Sequence, residues 1–150
     1  MSREDHVLVG WSERVGLPEW GIASLRAKID TGARSSALHV EDLRFSAPHM
    51  ADFVIVAGRE HRRIGVHCAV ARWARVTSSN GHYQRRPFVR TVLRLGPLVR
   101  TVEISLVDRG DLRFPMLIGR TALAGAYIVD PNRRRVASPP RRRRTTPGRH

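Results

Sequence analysis

The step Asp30-Thr31-Gly32-Ala33 combines an acid, a hydroxyl and a glycine in an order that sets a carboxylate at a tight turn. Glycine reaches backbone angles closed to other residues, the threonine hydroxyl can tie the turn to a neighbour, and the aspartate is presented beside the sheet that the turn leaves. A carboxylate in that position is open to tuning by its surroundings. The chemistry it suits is hydrolysis by a pair of carboxyls. Like charges a few ångströms apart cannot both ionise, so one carboxyl keeps a proton while the other takes one from water. Such a titration belongs to the pair and not to either residue. The sequence holds one Asp-[Thr/Ser]-Gly, which is half of the pair.

The elements that must position Asp30 are strands. Leu25, Ala27 and Ile29 alternate with Arg26 and Lys28 up to the turn, and 37–40 resumes the pattern after it. Residues 6–11, 53–56, 64–70 and 89–95 are further apolar or alternating runs, and 15–18 reads as a short strand or a turn. Val102, Ile104 and Leu106 alternate against Thr101, Glu103 and Ser105. Period-two patterns punctuated by Gly, Pro and Asn predict an all-β barrel or sandwich. Near the other end, residues 114–118 are an apolar run followed by Gly119-Arg120, and the only helix expected is a short one at 121–123.

A chain of 150 residues has room for one domain with a real core. Its net charge of +14 is unevenly spread: residues 1–132 hold all 13 acids, whereas 133–150 hold 8 arginines and none. The domain is therefore read as residues 1–132, and 133–150 as a disordered Arg-rich tail. No aromatic interleaves the tail arginines, which argues against a single-strand nucleic-acid platform. One cysteine, Cys68, in an alternating run, reads as a small core residue in a reducing compartment. Without an apolar run of membrane-span length or a signal-peptide core, the expectation is a cytoplasmic protein with no membrane partner. No cofactor is expected. The seven histidines fall in no metal-ligand spacing, Lys28 lies in no phosphate-binding loop, and no Gly-x-Ser-x-Gly occurs.

Hydrophobic-Asp30-Thr31-Gly32-Ala33 followed by Leu117-Ile118-Gly119-Arg120-x-x-Leu123 resembles the retroviral-type aspartic proteases, the retropepsins. Gly10-Trp11, residues 27–38 and 90–95, Asp108-Arg109, 116–123 and Val129-Asp130-Pro131 are similar to one bacterial branch of that fold. The branch is often labelled "ATP-dependent zinc protease" and is associated with ATP-grasp glutamate ligases.

The resemblance implies a closed β-barrel with one short C-terminal helix, acting as a homodimer. Asp30 would be the catalytic residue, Thr31, Gly32 and Ala33 its loop, and Ile118, Gly119 and Arg120 the motif that buttresses it. Thr31 would bond across the dimer axis. Viral enzymes carry an acid directly after Asp-Thr-Gly-Ala that pairs with the motif arginine. Here Arg34 stands in that place, so Arg120 needs another acid, with Asp108 and Asp130 as candidates. A retropepsin also needs a flap, and the segment 76–87 around Asn80-Gly81 is the flap candidate. Lys28 and Arg26 share a face with Asp30 by strand alternation, Arg34 follows it, and Arg85, Arg86 and Arg90 flank the flap. Lys28, Arg34, Arg86 and Arg90 are accordingly candidate substrate-binding residues, in a groove that favours acidic peptides. The association with glutamate ligases makes oligo-glutamate a candidate substrate and such a ligase a candidate partner. The alternatives are a non-catalytic accessory module of such a ligase and a basic RNA-associated protein.

Overall fold

A computed structural model describes residues 5–77, 80–108 and 113–140. Strand β1 (Val7–Gly10) leads through Trp11 into β2 (Ser12–Leu17). A one-turn 3-10 segment then turns the chain into β3 (Ile22–Ile29). In β3, Leu25, Ala27 and Ile29 are buried while Arg26 and Lys28 are exposed. After the Asp30 loop come β4 (Ser36–His39), β5 (Glu41–Ser46), β6 (Met50–Ala57) and β7 (Arg62–Ala69). The hairpin of β8 (Arg72–Thr77) and β9 (Tyr83–Leu95) follows, then β10 (Leu98–Val107), β11 (Met116–Ile118), the four-residue helix α1 (Arg120–Leu123) and β12 (Tyr127–Asp130).

Strands pair in the order β10-β4-β11-β3-β2-β9, and β9 pairs back onto β10, so six strands form a ring. Strand β8 is added to the N-terminal half of β9, from Tyr83 to Phe88. The parallel pairings β3–β11 and β4–β10 bring segments distant in sequence side by side. Leu17, Leu25, Leu38, Leu95, Ile104, Met116 and Ile118 are buried in the core.

The ring does not take in every strand. Strands β5, β6 and β7 form a separate antiparallel sheet, and β1 with β12 a parallel pair. The second sheet attaches by packing: Phe53 of β6 meets Trp20 edge-on at 5.5 Å. Strand β5 was not expected. Leu43 and Phe45 alternate with Asp42, Arg44 and Ser46, but two apolar residues make a short signal, and most of the strand is exposed. Cys68 is half-buried against the core, and burial pushes its thiol pKa up.

The domain boundary expected at 132 needs correction. Residues 133–138 are anchored to β2: Trp11 N–H donates to Arg133 O and Arg135 N–H to Ser12 O. Glu13, with no exposed surface, takes the N–H groups of Gly10, Val136, Ala137 and Ser138 and the Ser138 hydroxyl, at 2.6–3.1 Å. Burial opposes the charged carboxyl, but these donors outweigh it and hold its pKa below the ordinary value. A basic composition does not prevent docking when a buried carboxylate receives the backbone. Residues 141–150 lie outside the described residues. Among the described residues, no helix is long and apolar enough to cross a membrane.

Candidate active site

Strand β3 ends at Ile29, whose N–H bonds to Trp11 O, and Asp30 N–H bonds to Ile118 O at 2.9 Å. The loop turns at once, with Ala33 N–H on Asp30 O at 3.2 Å and Gly32 N–H on Asp30 Oδ1 at 3.0 Å. This is an Asx turn. Its carboxylate is half-buried, and the Thr31 side chain is exposed. Gly32 lies outside the left-handed region, contrary to the expectation that its backbone freedom is what the turn needs. Space is the constraint there, because a Cβ would stand 3.2 Å from Asp30 Oδ1.

The residues following β11 fasten the loop. Arg120 N–H bonds to Ala33 O at 2.8 Å and Thr121 N–H to Arg34 O at 3.0 Å. Gly119 N–H bonds to Ser36 Oγ at 3.0 Å, and the Arg120 guanidinium donates to Thr31 O at 2.9 Å. The acid expected for Arg120 is therefore not its partner. Among the described residues, neither Asp108 nor Asp130 forms an ion pair with it, and a backbone carbonyl of the loop replaces the carboxylate. Gly119 is required by close approach, since a Cβ would lie 2.5 Å from the Ser35 carbonyl. Gly119→Ala should cost about 1–3 kcal/mol by overpacking. Thermal unfolding should show a melting temperature several degrees lower, and an unchanged value would mean that the loop has slack.

A cavity of about 1200 Å³ opens beside this loop. Asp30, Gly32, Ala33, Arg34 and Arg120 line it, with Arg72, Arg75, Arg86 and Phe88 from the β8–β9 hairpin and Arg100 and Glu103 from β10. Six arginines thus face two acids. Lys28 and Arg90 do not line it. Lys28 stands beside Leu117, a cavity residue, in the parallel β3–β11 pairing, yet it is not part of the lining. Lys28 stays exposed on the strand face, and Arg90 bonds to Glu103. Arg26 lies over the Phe114 ring. Asn80 and Gly81 sit in the connection between β8 and β9, Gly81 with φ +82°, while Ser78 and Ser79 lie outside the described residues.

Sequence reading missed Arg72, Arg100 and Glu103. The polar face of β10 was the available signal for Glu103, since Thr101, Glu103 and Ser105 all line the cavity, whereas Arg72 on β8 and Arg100 on the other face of β10 carried none. Glu103 takes Arg72 Nε at 2.8 Å and Arg90 Nε at 3.2 Å. The Arg72 hydrogen bond, with help from Arg90, outweighs burial and holds the Glu103 carboxyl below its usual range. Among the described residues no three His, Cys, Asp or Glu side chains converge, so they offer no donor set for the zinc in the branch's label.

Known proteins are similar to this chain in fold or in sequence. A solved Legionella pneumophila protein of unknown function, Lpg0085 (DUF785), superposes with a TM-score of 0.72 at 24% identity, covering 87% of this chain and 98% of that one. A probable alpha-L-glutamate ligase of Shewanella pealeana is 28% identical over 134 residues, which is 86% of this chain and 29% of the ligase. One from Desulfotalea psychrophila is 30% identical over 129 residues, 83% of this chain and 28% of the ligase. The chain thus spans less than a third of the length of these curated relatives. The model of the RimB-like family, described as retropepsin-like aspartic endopeptidase RimB, matches residues 8–140. That match runs through the Asp30 loop, its buttress and the segment held by Glu13, and the chain belongs to the RimB-like family of retropepsin-like proteins.

Proposed function

We propose that two copies of this chain bring their Asp30 loops to a two-fold axis and hydrolyse peptide bonds in acidic, glutamate-rich substrates. The observation that carries this reading is a single, firmly buttressed Asp-Thr-Gly loop that opens onto an arginine-lined cavity. One Asp30 carboxylate takes a proton from water, which attacks the scissile carbonyl carbon. The other carboxyl, protonated, hydrogen-bonds the carbonyl oxygen and stabilises the charge that develops there. Collapse of the tetrahedral adduct returns a proton to the leaving nitrogen. The exposed Thr31 hydroxyl is free to bond across the axis, while Arg120 fixes the Thr31 carbonyl from within its own subunit. The β8–β9 hairpin, already one wall of the cavity, acts as the flap, with Asn80 and Gly81 in its tip.

The surplus of arginine in the groove favours polyanionic peptides, and its effect weakens with salt. A second reading, a non-catalytic module that delivers or holds a glutamate ligase's product, is favoured by one observation: the similar stretches lie within proteins named as probable glutamate ligases.

Turnover of poly-glutamate, a neutral peptide pool and poly-lysine, across a salt series and a protein dilution series, tests the proposal. Poly-glutamate should be cleaved fastest at low salt, and specific activity should fall on dilution as the dimer dissociates. Binding of poly-glutamate without cleavage at any concentration would favour the accessory module.

A further inference from the structure

The cavity arginines do not have equal roles. Arg120 is committed to Thr31 O. Arg100 donates through one terminal nitrogen to Ala122 O at 2.8 Å and Ala124 O at 3.3 Å. Arg86 is 6% exposed and bonds to Gln84. These three brace the walls. Arg75 lies over the exposed Tyr83 ring at 4.8 Å, and Arg34 is exposed on the loop.

Arg72 is built differently. Its guanidinium lies 4.2 Å over the Phe88 ring, and its Nε donates to Glu103 Oε1 at 2.8 Å. Ring and carboxylate together fix the plane of the group, yet only Nε is used. Among the described residues, its two terminal nitrogens bond to nothing. A guanidinium fixed in plane with its outer donors free matches the bidentate geometry of a carboxylate. Glu103 shares its other oxygen with Arg90, so two cations surround one anion and the cluster keeps one positive charge for a ligand to neutralise.

We propose that Arg72 reads an acidic side chain of the substrate and that Glu103 is its positioning residue. This rests on the peptidase reading above and adds to it the group that selects glutamate over glutamine. A fixed planar fork loses less freedom on binding than a mobile arginine, so it discriminates by geometry as well as by charge.

The test measures binding of a fluorescent glutamate peptide and its glutamine counterpart to the full chain in an Asp30→Asn background, where turnover does not interfere. Arg72→Gln should weaken the glutamate peptide about tenfold, as loss of a charge-assisted pair implies, and leave the glutamine peptide unchanged. Arg90→Gln removes the same charge from a residue that does not line the cavity, and should weaken the glutamate peptide less than Arg72→Gln does. Equal losses in the two variants would mean diffuse attraction and overturn the assignment. Glu103→Gln separates the models by sign. Diffuse electrostatics predicts tighter glutamate binding, because a negative charge has been removed, whereas a positioning role predicts weaker binding. Tighter or unchanged binding overturns the positioning role. With Asp30 intact, cleavage of both peptides at equal KM would sink Arg72 as reader and leave the peptidase standing. Glutamate-selective binding with no cleavage would do the reverse.

Discussion

Asp30→Asn should abolish peptide hydrolysis while leaving the fold in place. The amide fills the same volume and its oxygen can still accept the Gly32 N–H, which now lies 3.0 Å from Oδ1. It cannot take a proton from water, nor share one with its twin. Loss of general acid–base catalysis is typically about 10²–10⁴-fold, and here the same substitution removes both members of the pair, so the loss should reach or exceed the top of that range. Cleavage rate is the measurement, with circular dichroism and the melting temperature as controls. Mixing supplies a sharper form of the test. If the site spans two subunits, titrating wild-type protein with Asp30→Asn should lower activity more steeply than dilution does, because mixed dimers carry one carboxyl. Activity that follows dilution alone would place a complete site within one chain, and retained activity in the pure variant would retire the aspartic mechanism.

Glu13→Ala should be the most destabilising of these substitutions. It leaves the N–H groups of Gly10, Val136, Ala137 and Ser138 and the Ser138 hydroxyl without their acceptor. Each unsatisfied buried group costs about 1–3 kcal/mol, but the 136–138 segment can lift off and find water. A total of about 3–5 kcal/mol follows, a large share of the roughly 5–15 kcal/mol typical of a whole domain. Urea denaturation should give that loss, and hydrogen exchange should show the amides of 136–138 losing protection first. A loss below about 1 kcal/mol would mean that the segment contributes little. The pH dependence has a definite sign. The folded carboxyl titrates below its unfolded value, so its stabilisation is fully present above the unfolded pKa and is lost as pH falls through the folded one. Wild-type protein should therefore lose stability to acid below the ordinary glutamate range, and Glu13→Gln should lack that part of the loss.

The features legible in the sequence were those whose cause is local. Alternation in β3, β9 and β10 marked these strands because one face of each meets a core, and β6 showed as an apolar run at 53–56. The Asp30 turn and the Gly119-Arg120 buttress were visible as motifs, since each needs particular residue types at fixed spacing. Strand β5 escaped because it is held by backbone bonds to β6 and buries little, so its alternation rests on Leu43 and Phe45 alone.

What the sequence by itself determined is the presence of a β-rich domain with one catalytic-type carboxylate loop and its buttress. Only the tertiary structure decided which charges meet. Arg120 bonds to a loop carbonyl instead of an acid, Lys28 lies outside the cavity two residues from Asp30, and Arg72 reaches it from another hairpin. Glu13 binds a segment more than 120 residues away. Short-range pattern reports which face of an element is apolar. The partner of a polar group depends on which strands the ring brings together, and parallel pairings such as β3–β11 are set by the packing of the whole chain.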